Sequence, residues 1–149
     1  MISKILVPSD GSKTAQRAAA YAIDLAKQLG ASIVALSVID KRSFTAQTVP
    51  ASETQRHTIE PVEDYLREAA EAYAGEIKKL CDQSGVESII SIKMGHPVEE
   101  IVKEAKKSKA DLVVMGSQGR SALSATVLGS VSYGVTHNNT RIPVLIVRG

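Results

Sequence analysis

Asp111-Leu-Val-Val-Met-Gly-Ser-Gln-Gly119 and, after a nine-residue spacer, Gly129-Ser130 form the stretch from which the fold is read. An apolar run as short as Asp111 to Met115 reads as a buried strand. Glycine is needed where the backbone takes φ > 0 or approaches a ligand with no Cβ in the way. Three such positions behind a strand, the last followed by Ser130 and a helix start, describe a loop that turns its N–H groups toward an anion. A helix N-terminus adds partial positive charge at the same spot. Tight turns alone explain any one of these glycines, but the complete spacing Gly116-x2-Gly119-x9-Gly129-Ser130 favours the anion loop.

Outward from that loop, strand and helix patterns alternate. Lys4 to Pro8 reads as a first buried strand, and Ser9-Asp10-Gly11-Ser12 as a turn and helix cap. Ala15, Ala18, Ala19, Ala22, Ala26 and Leu29 recur at helical spacing up to Gly30, and Ser32 to Val38 is a second strand. A second helix is expected from Pro61, with the stripe Val62, Leu66, Ala69, Tyr73, Ile77 and Leu80. Ser88 to Met94 is a third strand. Pro97 opens a third helix whose first-turn Glu99 and Glu100 and last-turn Lys106 and Lys107 suit its dipole. Asp111 to Met115 is a fourth strand, Ser130 to His137 a short fourth helix, and Ile142 to Val147 a fifth strand. Pro143 puts that strand at an edge or a beginning.

This alternation predicts an α/β fold: a single doubly wound domain, 1–149, with a five-stranded parallel sheet and helices on both faces. Ligands of such sheets sit outside the carboxyl ends of the strands, where the strand order reverses. Ser9-Asp10-Gly11 and Gly116-Ser117-Gln118-Gly119 both lie at carboxyl ends, but the strand order is not legible in the sequence. Residues 40–60 carry neither clear period nor many large apolar side chains, and are expected to be a flexible loop near the ligand or a dimer surface.

Composition narrows the function. The chain is 44% hydrophobic and 23% charged, with a formal net charge of +2, too small a balance to attract a polyanion. Four Tyr, one Phe and no Trp leave few stacking platforms for single-stranded nucleic acid. Lys103, Lys106, Lys107 and Lys109 read as a solvated helix end. The single cysteine, Cys81, excludes an internal disulfide and reads as a small packed thiol. No signal-peptide layout and no membrane-spanning apolar stretch appears, so a cytoplasmic location is expected.

The loop is not a P-loop, since no lysine follows its second glycine, and the first turn lacks G-x-G-x-x-G. A response regulator would need more acid than Asp10 after the first strand and an aspartate in place of Lys93-Met94. What the chain does resemble, over nearly all its length, is the universal stress protein family. Lys4-Ile-Leu-Val-Pro-Ser-Asp-Gly-Ser12 is similar to that family's first strand and turn, and Lys93-Met-Gly-His-Pro97 with Glu100-Ile101 to its third strand and next helix. Asp111 to Ser121, Leu128-Gly-Ser-Val131 and Pro143 to Val147 resemble its C-terminal signature. The glycine spacing resembles the ATP-binding branch.

The resemblance implies a Rossmann-like sheet of the adenine nucleotide alpha hydrolase-like kind, and roles by position. Asp10 accepts from ribose or adenine, with Pro8 and Ser9 shaping that wall. Val38 meets adenine through its main chain, and Met115 and Gly116 flank the ribose. Gly119, Gly129, Ser130, Val131 and Ser132 hold phosphates through N–H and hydroxyl groups. Read from its position alone, Arg120, inside the loop, either pairs with a phosphate or stays a solvated loop arginine. The expected cofactor is ATP, with Mg2+ or Mn2+ carried by the phosphates. The expected assembly is a homodimer through Ile142 to Val147, with room for an unknown protein partner.

Purely structural roles remain open beside these. Asp10 also suits the start of a helix, worth roughly 0.3–1 kcal/mol. His57, His96 and His137 are scattered singly and read as surface or capping residues, and no metal cluster is apparent. Gly134 and Thr136 to Thr140 depart from the family's alanine- and leucine-rich fourth helix, and a glycine there costs about 1 kcal/mol of propensity. The expected function is a nucleotide-responsive regulator without dedicated catalytic residues. The alternatives are a slow Mg-dependent ATP hydrolase using Ser130 and Ser132, completed by a partner, and a nucleotide-free dimeric interaction module.

Overall fold

Ile5, Leu6 and Val7 are wholly buried, as an apolar run must be in a parallel sheet covered on both faces. Each such side chain contributes about 1.5–3 kcal/mol by leaving water. The computed structural model describes residues 1–40, 56–119, 128–138 and 140–149. Through them run β1 (Lys4–Pro8), α1 (Lys13–Leu29), β2 (Ser32–Asp40), α2 (Arg56–Ser84), β3 (Ser88–Gly95), α3 (Pro97–Lys107), β4 (Leu112–Gly116), α4 (Ser130–Thr136) and β5 (Val144–Val147). All the pairings are parallel, in the order β3-β2-β1-β4-β5. The expected doubly wound α/β architecture is therefore present.

Alternation along each strand divides the core in two. Ile5, Val7, Ile33, Ala35, Leu112 and Val114 face α1 and α2, while Leu6, Val34, Leu36, Val113 and Met115 face α3 and α4. The chain lays its first two helices on one face, then crosses β1 and lays the last two on the other. The reversal falls between β1 and β4.

Several boundaries differ from the sequence reading. α2 begins at Arg56, so Pro61 lies inside the helix instead of opening it. The expected 40–60 loop overlaps described elements at both ends, since Asp40 closes β2 and pairs with Gly95 and α2 begins at Arg56; residues 41–55 lie outside the described residues. In α2 the buried line is Ala70, Ala74, Ile77 and Cys81, one step round from the expected stripe. Burial pushes the Cys81 thiol pKa up, as for a packed side chain. In α1 the small residues are buried as expected, with Ile23 added, while Leu29 at the helix end is 45% exposed.

The fifth strand starts at Val144 and not at Ile142. The Ile142 N–H donates to Thr140 Oγ1 at 3.3 Å, which holds it out of the ladder, and Pro143 contributes only its carbonyl, accepting from Val113 N–H at 2.9 Å. Gly134 also gains a reason. A Cβ there would lie 2.6 Å from Val98 Cγ2 of α3, so the glycine gives up helix propensity for close packing of α4 on α3.

Asp111, just ahead of β4, ties that strand to β1. Its Oδ2 accepts from the Ser3 N–H at 2.9 Å, the Ser3 hydroxyl at 3.0 Å and the Lys4 N–H at 3.1 Å. These bonds, the Ser3 N–H foremost, hold its pKa below 3.8. A lowered carboxyl pKa adds stability above the unfolded value of about 3.9, and that stability is lost as pH falls through the folded value. Urea midpoints of the wild type and Asp111→Asn should differ at pH 6 and converge toward pH 2.5. A gap of equal size at both pH values would contradict this role.

Candidate functional site

The carboxyl ends of β1 and β4 stand side by side while their chains leave to opposite faces, which opens a crevice at the reversal point. On the β1 side the ladder runs one residue past the strand. The Ser9 N–H donates to the Leu36 carbonyl at 2.8 Å, and the buried Ser37 hydroxyl donates to the Ser9 carbonyl at 3.0 Å. Asp10 Oδ1 then accepts from the Ser12 N–H at 2.9 Å, and Ser9 Oγ from the Gly11 N–H at 3.2 Å. Such side-chain bonds two residues ahead bend the chain toward α1. Ser12 caps that helix by accepting from the Ala15 N–H at 3.2 Å.

On the β4 side, Gly116 is buried against the first turn of α1. A Cβ there would lie 2.8 Å from the Thr14 carbonyl carbon. The Ser132 hydroxyl donates to the Gly116 carbonyl at 2.7 Å, the Gly129 N–H to the Ser117 carbonyl at 2.7 Å, and the Thr14 hydroxyl to the Gln118 carbonyl. The spacer between Gly119 and Gly129 thus begins and ends at one place. A Cβ on Gly129 would sit 3.2 Å from Gln118 Cα and 3.3 Å from Gly119 N.

The two sides meet at Gly119, where an added Cβ would stand 2.7 Å from Asp10 Oδ2. α4 starts directly behind, with its first helical bond running from the Tyr133 N–H to the Gly129 carbonyl at 2.8 Å. The N–H groups of Ser130, Val131 and Ser132 precede that bond and form the positive end of the helix. A carboxylate beside a row of N–H groups suits a ligand with donor groups at one end and an anion at the other.

Most of the residues picked out by sequence are brought together here: Pro8, Ser9 and Asp10 on one wall, Gly116, Gly119, Gly129, Ser130, Val131 and Ser132 on the other. Val38 and Met115 belong to the apolar cluster on the α3/α4 face, Val38 half-buried and Met115 5% exposed. The Ser132 hydroxyl is committed to Gly116, which leaves only its N–H for a ligand. Arg120 lies outside the described residues. His137 caps α4, its Nδ1 2.9 Å from the Tyr133 carbonyl oxygen and its ring stacked on Tyr133 at 3.8 Å.

The sequence reading missed Thr14, Ser37 and Tyr73. Ser37 did leave a signal, as the polar residue inside the apolar run Ile33 to Ile39. Thr14 and Tyr73 left none, because each acts on a residue from another element. Among the described residues, no group of three or more His, Cys, Asp or Glu stands together to hold a metal. Nor is any described helix long and apolar enough to cross a membrane.

Comparisons with known proteins agree with this fold. A family model described as the universal stress protein family matches residues 1–148. Universal stress protein MJ0531 of Methanocaldococcus jannaschii is 35% identical over 148 residues, covering 99% of this chain and 83% of that protein. The solved structure of MJ0577, a universal stress protein of the same organism, superposes with a TM-score of 0.84 at 31% identity, over 100% of this chain and 97% of that one. A universal stress protein solved in complex with cAMP shares the fold with a TM-score of 0.67 at 24% identity, over 99% of this chain and 97% of that one.

Proposed function

The chain belongs to the universal stress protein family, and from that premise we propose that it is an ATP-binding, nucleotide-responsive regulator of the cytoplasm. The observation that carries this reading is the meeting of Asp10 with Gly119 at the reversal of strand order, with the start of α4 behind them. Asp10 accepts from ribose hydroxyls or the adenine amine, beside a wall shaped by Pro8 and Ser9. The Val38 main chain meets adenine, and Met115 and Gly116 contribute backbone beside the ribose. The N–H groups of Gly119, Ser130, Val131 and Ser132 take the phosphates, with Arg120 as a further partner, while Gly129, expected to donate as well, has its N–H held by the Ser117 carbonyl and shapes the loop instead. Mg2+ or Mn2+ arrives on the phosphate oxygens. The fold itself accommodates adenine nucleotides elsewhere, since relatives sharing it at 24% and 17% identity are complexes with cAMP and dAMP.

A homodimer through β5 goes with this reading, because β5 is an edge strand whose residues are only half-buried, and such edges call for cover. The hydrolase alternative is disfavoured by the Ser132 hydroxyl, which is already bonded to Gly116. The test is to denature freshly purified protein and identify released nucleotide by chromatography, and to titrate ATP with Mg2+ into stripped protein. One saturable ATP per chain is expected. No retained nucleotide and no titratable binding would sink the reading and leave the interaction module.

A further inference from the structure

A loop that binds phosphate has to keep its carbonyl oxygens turned away, since each carries the same sign of charge as the ligand. Three consecutive carbonyls after β4 do take donors from within the protein: Gly116 from the Ser132 hydroxyl, Ser117 from the Gly129 N–H and Gln118 from the Thr14 hydroxyl. The C=O and N–H of one trans peptide point in opposite directions, and no described peptide bond is cis. Ser117 illustrates the pattern. The carbonyl before it turns to Ser132, and its own N–H turns the other way, to the Val147 carbonyl at 3.0 Å.

Applied to the next peptide but one, the same geometry gives Thr14 a task. Bonding the Gln118 carbonyl to Thr14 directs the Gly119 N–H to the opposite side of that peptide, and Gly119 is an exposed residue. Ser132 and Gly129 belong to the same β4–α4 unit as the carbonyls they hold. Thr14 comes from α1, 104 residues from Gln118 in the chain. Its place is set firmly, because the Gly116 backbone packs directly on the Thr14 backbone and Ser12 caps the helix two residues earlier.

We propose that Thr14 is a positioning residue for the phosphate end of the ligand: its hydroxyl fixes the Gln118–Gly119 peptide so that the Gly119 N–H is presented as a donor. This rests on the nucleotide-binding reading above. Without the hydroxyl the Gln118 carbonyl loses the donor from α1, and the peptide is freer to rotate toward presenting oxygen where the phosphate sits. The adenine and ribose walls, made by the ends of β1, β2 and β4 ahead of Gln118, are untouched by that rotation.

Thr14→Val removes the donor at nearly constant shape, and Thr14→Ser keeps it. Calorimetry with ATP and with adenosine, and amide exchange of Gly129 in ligand-free protein, read the two parts separately. Thr14→Val is expected to weaken ATP roughly tenfold or more, to leave adenosine unchanged and to speed Gly129 exchange roughly tenfold, as befits one lost bond to a loop carbonyl. Thr14→Ser is expected to behave as the wild type in all three. An equal loss of ATP and adenosine in Thr14→Val, unchanged Gly129 exchange, or a serine variant as impaired as valine would each overturn the assignment. A wild-type chain that binds neither compound would instead overturn the nucleotide reading itself.

Discussion

Gly129→Val is expected to weaken ATP binding about 100-fold or more while the chain stays folded. The added Cβ would press on Gln118 Cα at 3.2 Å and on Gly119 N and Ser117 O at 3.3 Å, and the two γ-methyls need space that the loop does not have. Relief comes by moving the start of α4 away from the loop, which also stretches the Gly129 N–H bond to Ser117. Two donors to phosphate lost at about 1.5 kcal/mol each account for a factor near 100. Overpacking adds about 1–3 kcal/mol of destabilisation, which a chain of this size tolerates. Calorimetric titration with ATP, beside circular dichroism to establish the fold, checks this. ATP affinity within threefold of the wild type would show that the junction of Gly119 and Gly129 does not face the ligand.

The largest stability effect is expected at Gly11, in the turn after β1. Its φ is +78°, a conformation in which a Cβ costs about 1–2 kcal/mol. An alanine there would also place its Cβ 2.2 Å from Tyr73 Cε1 and 2.5 Å from Cδ1, and a ring cannot bend aside as a chain end can. Overpacking adds about 1–3 kcal/mol, so Gly11→Ala is expected to cost about 2–5 kcal/mol in all. At roughly 2–4 °C per kcal/mol, Tm falls by about 5–20 °C. The two contributions separate in a Tyr73→Ala background, where only the backbone penalty remains and the cost drops to about 1–2 kcal/mol. A melt in which Gly11→Ala costs less than 1 kcal/mol in the wild-type background would show that Tyr73 does not sit over the turn.

The glycine positions were visible in the sequence because glycine is chosen for reasons that act over a few residues: a turn, a cap, a strand end. What each glycine makes room for was not visible. Gly134 read as a weak point of the fourth helix, and it turned out to be the contact with Val98. Ile142 read as strand, and the Thr140 side chain takes its N–H instead. The stripe of α2 was offset by one residue because Ala70 and Ala74, with Cys81 packed as expected, fit the sheet more closely than Tyr73 and Leu80 do.

Sequence alone determined the alternation of strand and helix, the glycine loop with its helix start, the turn and cap before the first helix and the family resemblance. Each of these rests on periodicity, turn chemistry or spacing, all short-range properties of the chain. The tertiary structure decided the strand order, and with it that β4 lies beside β1. Only that adjacency carries Thr14 to Gln118 and Asp10 to Gly119. A hydroxyl in a sequence looks the same whether it meets water or a loop carbonyl; which it meets is settled by the long-range packing of the two faces of the sheet.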